Sequence, residues 1–297
     1  MASFAYQAFV SVVEAGSFYQ AAQLLRVTPS AISHSINQLE KHLGFSVLVR
    51  NRAGVRLTEN GQAVLPMIQT ILNNEQLLAQ KAATIAGVSQ GIVRIGAFSS
   101  VCINWLPPIL QQFKKHYPQI KVKVTQDAFN NITSDVRSGK IDLGFTCDPK
   151  NEAIIKVPLI KDMFYCITPI DFIPQNGHSI TQADINDKNF ILQHSDYSGD
   201  TKAVLDHYDV TVQSLQFSID DQSIIAMVEA GLGIGILPKL ALIKTTGEVH
   251  AYPFDKEFYR DIYLIINSLE TKAPANAKMV STIKQFIEAK YPEKICK

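Results

Sequence analysis

A run of small polar side chains at helical spacing offers the clearest chemistry in this chain. Ser30, Ser33, His34, Asn37 and Gln38 recur at three- and four-residue intervals, opposite Ile32, Ile36, Leu39 and Leu43. Hydroxyls, amides and an imidazole on one face reach phosphates and base edges without desolvating a full charge. Just downstream, Arg50, Arg52 and Arg56 cluster around Asn51 and Gly54, and closely spaced guanidinium groups suit phosphate oxygens. A second polar set, Ser99 and Ser100, follows an apolar stretch. If a helix begins there, its hydroxyls and unpaired N–H groups suit a carboxylate or phosphate. His194, Ser195 and Asp196 have the residue types of a hydrolytic triad. Adjacency in sequence is the wrong geometry for one, and neither GxSxG nor HExxH occurs. Cys102, Cys147, Cys166 and Cys296 show no CxxC spacing and no histidine at zinc spacing. Neither a metal site nor a cofactor is expected, and the thiols read as free cysteines of a reducing compartment. The chemistry is recognition, not catalysis.

The elements that must position these groups follow from local signals. Phe4, Phe9, Val12 and Val13 recur as on a helix that stops at Gly16. Ser17 caps a second helix, Phe18 to Leu25, and Thr28-Pro29-Ser30 supplies a cap and a first-turn proline for a third that Gly44 ends near Leu43. Two short helices joined by a tight turn, the second with a small-polar outer face, make a helix-turn-helix. Phe45, Val47, Leu48 and Val49 then read as a strand, Arg50 to Gly54 as a turn and Val55-Arg56-Leu57 as the returning strand. A hairpin tipped with arginine and glycine, directly after such a helix, is a wing aimed at phosphates or the minor groove.

In order and spacing, Glu14-Ala15-Gly16-Ser17-Phe18, Gln20-Ala21-Ala22, Thr28-Pro29-Ser30-Ala31-Ile32-Ser33, Leu39-Glu40, Leu43-Gly44 and Gly54-Val55-Arg56-Leu57-Thr58-Glu59-Asn60-Gly61 resemble the signature of the LysR-type transcriptional regulators. The resemblance runs through the whole winged segment without a gap. It implies that Ser30, Ser33 and His34, on the same face as Asn37, contact DNA from the third helix. It further implies that Arg50 holds a backbone phosphate and that Arg52 occupies the wing. Many members carry Arg or Lys where this chain has His34, and a second basic residue where it has Ala53. Both departures imply weaker or differently directed DNA binding.

From Thr58 a long helix is expected, with Val64, Ile68, Ile71, Leu78, Ala82 and Ile85 on one stripe and a kink at Pro66. A helix that long and that apolar on one side needs a partner. The resemblance implies an antiparallel helix pair across a homodimer, with a homotetramer as a dimer of dimers. After a joint at Gly87 to Gly91, strands and helices alternate. Strands are expected at Ile92–Ile95, Ile120–Thr125 and Ile141–Thr146, with helices at Ile103–Tyr117 and Asn131–Ser138 between them. A second set has strands at Phe190–Gln193, Ser214–Ile219 and Ile234–Leu237, with helices at Thr201–His207 and Asp221–Ala230. Strands at Val157–Ile167 and Ile262–Asn267 cross between the sets, and a last helix, Ala275–Lys290, packs back on the first.

The fold expected is therefore multidomain: a winged helix-turn-helix (1–60), a linker helix (58–88) and a two-lobe α/β sensor (91–297) like the periplasmic binding proteins. Lobe I takes 91–161 and 267–297, and lobe II takes 162–266. Met227 to Pro238, with Gly231, Gly233 and Gly235, resembles the second lobe of LysR-type sensors. It follows a helix and precedes a strand, so it is not a dinucleotide fingerprint. Ligands of such sheets lie beyond the carboxyl ends of the strands. That points to Ser99, Ser100, Phe129, Thr146, His194, Tyr197 and Asp220 as effector contacts, with an anionic group on the two serines and no arginine at these strand ends.

Net charge +1, 46% hydrophobic and 19% charged residues over 297 positions fit folded domains and exclude a wholly basic coat for nucleic acid. No apolar run approaches the ~20 residues that span a bilayer, and no signal-peptide pattern opens the chain. The partners expected are double-stranded promoter DNA, a small-molecule effector and further copies of the chain, with no membrane, in the cytoplasm. The alternatives are a thiol-responsive regulator of the same fold and, further behind, a solute-binding or enzymatic α/β protein. Relatives that sense peroxide use a cysteine pair in the second lobe, where only Cys166 falls here.

Overall fold

The computed structural model describes residues 2–51, 54–86, 90–147, 149, 154–186, 188–193, 199–210, 215–218, 220–244, 246–267 and 273–292. His194, Tyr197 and Arg52 lie outside the described residues. The chain divides into two compact units: Met1–Val88 with the short stretches Ser138–Lys140 and Lys272–Pro274, and the remainder.

In the first unit α1 (Ala2–Ala15), α2 (Phe18–Leu25) and α3 (Pro29–Leu43) close around Ala8, Phe9, Val12, Ala21, Ile32 and Ile36. Side chains this small at the helix crossings let the axes approach, and Phe9 fills the centre. The Ser17 hydroxyl accepts from Gln20 N–H, and that of Thr28 accepts from Ala31 N–H, so both caps work as the sequence predicts. Gly44 closes α3 at φ 80°, a left-handed turn that favours glycine. The wing pairs β1 (Leu48–Asn51) with β2 (Gly54–Leu57), and Arg50 faces Val55 and Asn51 faces Gly54 in the ladder. Arg50 and Asn51, expected in the turn, are thus strand residues. The antiparallel ladder extends past the last apolar side chain, where hydrophobic pattern carries no signal.

Helix α4 (Glu59–Ile85) is capped by Thr58 and runs on through Pro66. The apolar stripe expected along it splits in two. Val64, Leu65, Ile68 and Leu72 join the winged core, whereas Met67, Ile71, Leu78 and Ile85 are 67, 41, 71 and 89% exposed. Positions 61, 65, 68 and 72 follow the 3.6-residue period of one straight helix, whereas 71, 78 and 85 repeat every seven and drift to another face.

The second unit is a nine-stranded sheet in the order β4-β3-β5-β11-β6-β9-β7-β8, with β10 on β6. Its first half is built from β3 (Gly91–Ala97), α5 (Ser99–Asn104), α6 (Leu106–His116), β4 (Ile120–Gln126), α7 (Phe129–Ser138) and β5 (Leu143–Cys147). β3 runs parallel to both β4 and β5. One helix was expected over Ile103–Tyr117, but two are present with Trp105 at the joint. Pro107 and Pro108 donate no hydrogen bond and disfavour helix immediately before them, so the chain restarts there.

Strand β6 (Ile154–Pro169) pairs through residues 154–163 with β11 (Tyr259–Asn267), and through 164–169 with β9 (Ile234–Pro238) and β10 (Val249–Pro253). It is the strand that passes from one half-sheet to the other. The second half adds α8 (Gln182–Ile185), β7 (Phe190–Gln193), α9 (Gly199–His207), β8 (Leu215–Ser218), α10 (Asp221–Glu229) and α11 (Lys239–Leu242). β11 pairs antiparallel with β5 and β6, so the chain re-enters the first half-sheet at Tyr259, ahead of the return expected near 267. Tyr259, Arg260 and Asp261 are polar and gave no strand signal. The last helix, α12 (Pro274–Lys290), sends Met279, Ile283 and Ile287 into the same core as Trp105, Ile109 and Phe145. It thus packs back on the first half as expected. The second half has its own cores, around Phe190, Leu192 and Phe164 and around Ile191, Ile224 and Val228.

Candidate DNA-binding face and ligand cleft

On α3 the inner stripe Ile32, Ile36 and Leu39 is buried. That leaves Ser30, His34, Asn37 and Gln38 exposed, with Ser33 half-buried at their edge. The structure therefore gathers Ser30, Ser33, His34 and Asn37 on one side of one helix. Ser35 is different: it is buried, and its hydroxyl donates to the Ala31 carbonyl at 2.9 Å. The His34 ring lies 2.9 Å from the Gln38 amide nitrogen, which orients both side chains along the face. Glu40 anchors the wing, since its carboxylate accepts from the N–H groups of Val47 and Leu48 at 2.8 and 3.3 Å. Helix and hairpin are therefore positioned as one piece. Arg56 is exposed on β2 opposite Val49.

In the second unit a partly open cleft lies where the two half-sheets meet. Phe129, Cys147 and Arg260 reach it from the first half, and Asp200, Thr201 and Asp221 from the second. Arg260 is 6% exposed. Its Nε and Nη2 donate to Asp162 Oδ2 at 3.1 and 2.9 Å, directly across the β6–β11 ladder, and Nη2 also donates to the Ser100 hydroxyl at 3.0 Å. The guanidinium carbon stands 4.9 Å from the centre of the Phe98 ring, which meets Phe129 edge to face. The other oxygen of Asp162 accepts from Leu240 N–H at 3.0 Å. Burial opposes the charge on Arg260, but Asp162, Cys147 and Asp221 outweigh it and hold the guanidinium above its ordinary value.

The expected effector residues separate. Phe129 lines the cleft, and Ser100 is 1% exposed and engaged with Arg260. Ser99 is half-buried at the start of α5. Thr146 is turned inward, 3.1 Å from the Thr133 hydroxyl, and Asp220 caps α10 by accepting from Ser223 N–H at 2.8 Å. It is the next residue, Asp221, that lines the cleft. The expectation that no arginine reaches this rim is corrected by Arg260. Because β11 is antiparallel to its neighbours, its start lies beside the carboxyl end of β5, a place that the order of parallel strands alone does not indicate. Arg260, Asp162 and Asp221 were the residues missed. In sequence Asp162 follows Lys161 and Arg260 precedes Asp261, so no local signal singles out the pair.

Two of the thiols are held protonated by burial. Cys166 is fully buried, and burial, with Asp184 nearby, pushes its thiol well above the usual range. Burial pushes Cys102 up to about 11. A protonated thiol is not the reactive form. Among the described residues, no three His, Cys, Asp or Glu side chains converge as a metal site, and no helix is long and apolar enough to cross a membrane.

The pattern of the LysR substrate binding domain matches residues 86–287, and that of the bacterial regulatory helix-turn-helix protein, lysR family, matches residues 5–62. A probable HTH-type transcriptional regulator, LrrA of Synechococcus elongatus, is 30% identical over 282 residues, 94% of this chain and 95% of its own. Among solved structures, full-length OxyR from Pseudomonas aeruginosa aligns with a TM-score of 0.72 at 21% identity, covering 96% of this chain and 97% of that one. CbnR complexed with its target DNA aligns with a TM-score of 0.65 at 20% identity, covering 96% and 100%. A DNA-reading helix with its wing and a substrate-binding fold together account for nearly the whole sequence, and the chain belongs to the LysR family of bacterial helix-turn-helix transcriptional regulators, not to a family of enzymes.

Proposed function

We propose that this regulator reads promoter DNA with α3 and the β1–β2 wing, and that a small molecule in the cleft of the second unit switches that reading. The observation that carries the switch is the cleft itself: a space bounded by both half-sheets, with Arg260 facing it from one side and Asp200 and Asp221 from the other. Ligands that bridge two lobes draw them together and shift populations between two arrangements. The reading takes the winged domain as 1–60, the linker helix as 58–88 and the sensor as 91–297, in a cytoplasmic protein. Ser30, Ser33, His34 and Asn37 face the bases, and Arg50 and Arg52 face the phosphates. Met67, Ile71, Leu78 and Ile85, exposed along α4, support a homodimer built on that helix, and the sensor units extend the dimer to a tetramer.

The test is a gel-shift titration on a DNA site that the full chain selects from a random-sequence pool. Ser33→Ala and His34→Ala should each weaken the selected site by roughly 1–3 kcal/mol of discrimination. Arg50→Ala should instead weaken all sequences alike and flatten the salt dependence. Unchanged titrations for all three variants contradict the assignment.

A further inference from the structure

The charges around the cleft do not balance. Arg260 is already met by Asp162, whose second oxygen is also engaged by a backbone N–H. Asp221 is not met. It is 7% exposed, it lines the cleft at the first position of α10, and among the described residues no group donates a hydrogen bond to its carboxylate. Asp220 spends its own carboxylate on the helix cap beside it, and Asp200 adds a further acid to the cleft wall. Burial pushes the Asp221 carboxyl up; Asp220 and Asp162 act in the same sense, and Arg260 opposes them. A buried carboxylate without a partner is costly, and native structures satisfy such groups with water, an ion or a ligand. Beside these polar groups Phe129, Phe164, Ile224 and Ile236 give the cleft an apolar wall against which a short hydrocarbon body can lie.

We propose that the cleft takes a small organic amine, its protonated nitrogen on Asp221 beside Asp200 and Thr201 and its carbon chain against Phe129, Phe164 and Ile236. This rests on the reading of the cleft as the effector site, and it reverses the sign expected from Ser99 and Ser100. Those serines open a helix of only six residues, and the Ser100 hydroxyl already accepts from Arg260. An anion would enter a wall where Asp162 and Asp221 already face one arginine, whereas an ammonium adds a counter-charge for Asp221.

The experiment uses the full chain and a length series of alkyl amines and diamines, each with its matching alcohol and carboxylate, followed by thermal shift and titration calorimetry. Amines should bind about tenfold or more tighter than the matching carboxylates, as expected for a charge-assisted hydrogen bond in a buried site. Asp221→Asn, nearly isosteric, should abolish that preference while leaving alcohol binding as it was. Carboxylates binding more tightly than amines, an unchanged amine preference in Asp221→Asn, or no binding by any amine overturns the proposal. Adding each ligand to the selected DNA complex separates the two readings. Amine binding through Asp221 with no change in DNA affinity keeps the ligand class and overturns the effector role. A carboxylate that changes DNA affinity keeps the effector role and overturns the amine.

Discussion

Asp221 is the residue at which stability and recognition pull against each other. Its folded value lies above the ordinary 3.8, chiefly through burial, so the folded state holds that proton more tightly than the unfolded chain does. Stability from this group is therefore present in acid and is lost as pH rises through the raised folded value. Asp221→Asn cannot ionise and should be more stable than the wild type at neutral pH, because it removes the cost of holding a buried charge. The gain should disappear below the ordinary carboxylate range. Denaturant unfolding across pH checks it; a gain independent of pH, or a loss at neutral pH, contradicts this account of the carboxylate. Position 221 escaped sequence reasoning because Asp220 beside it has the same type. A helix start does not reveal which of two adjacent acids will cap and which will face inward. Ser100 was expected at the cleft, but the partner its hydroxyl meets, Arg260, 160 positions away, was not.

Helices and hairpins were the most legible scale, because their signals are local. Thr28-Pro29 and Gly44 bound α3 at the ends the sequence announces, since caps and left-handed turns depend on a few neighbouring residues. The two faces of α4 were less so. One hydrophobic stripe drawn through Val64 and Ile85 merged a face that joins the winged core with one that remains exposed. If the exposed face is a dimer seam, Ile71→Glu or Leu78→Glu should lower the mass in solution, and light scattering that shows a monomeric wild type rules the seam out. Gly61 ties this helix to the wing, because a Cβ there would stand 2.1 Å from the Val47 carbonyl oxygen. Gly61→Ala should therefore cost roughly 1–3 kcal/mol or more through overpacking, seen as a lower unfolding midpoint. An unchanged midpoint means that the wing moves aside at no cost.

Over the whole molecule, the order of elements was legible and the long-range pairing only partly so. Alternating strands and helices give parallel half-sheets by rule, as β3 beside β4 and β5 and β7 beside β8 and β9 show. Where β11 begins, and hence where charged groups gather, depends on antiparallel pairing between residues far apart in sequence, which periodicity does not encode. The central claim joins the two units: occupancy of the cleft changes DNA binding by α3 and the wing. Such coupling is reciprocal, so a ligand that changes DNA affinity by some factor must have its own affinity changed by DNA by the same factor. The most direct measurement is both legs of that cycle on the full chain: DNA anisotropy titrations with and without a cleft ligand, and ligand calorimetry with and without DNA. The account predicts equal shifts of roughly fivefold or more on the two legs. A ligand shown to occupy the cleft that leaves both affinities unchanged contradicts it.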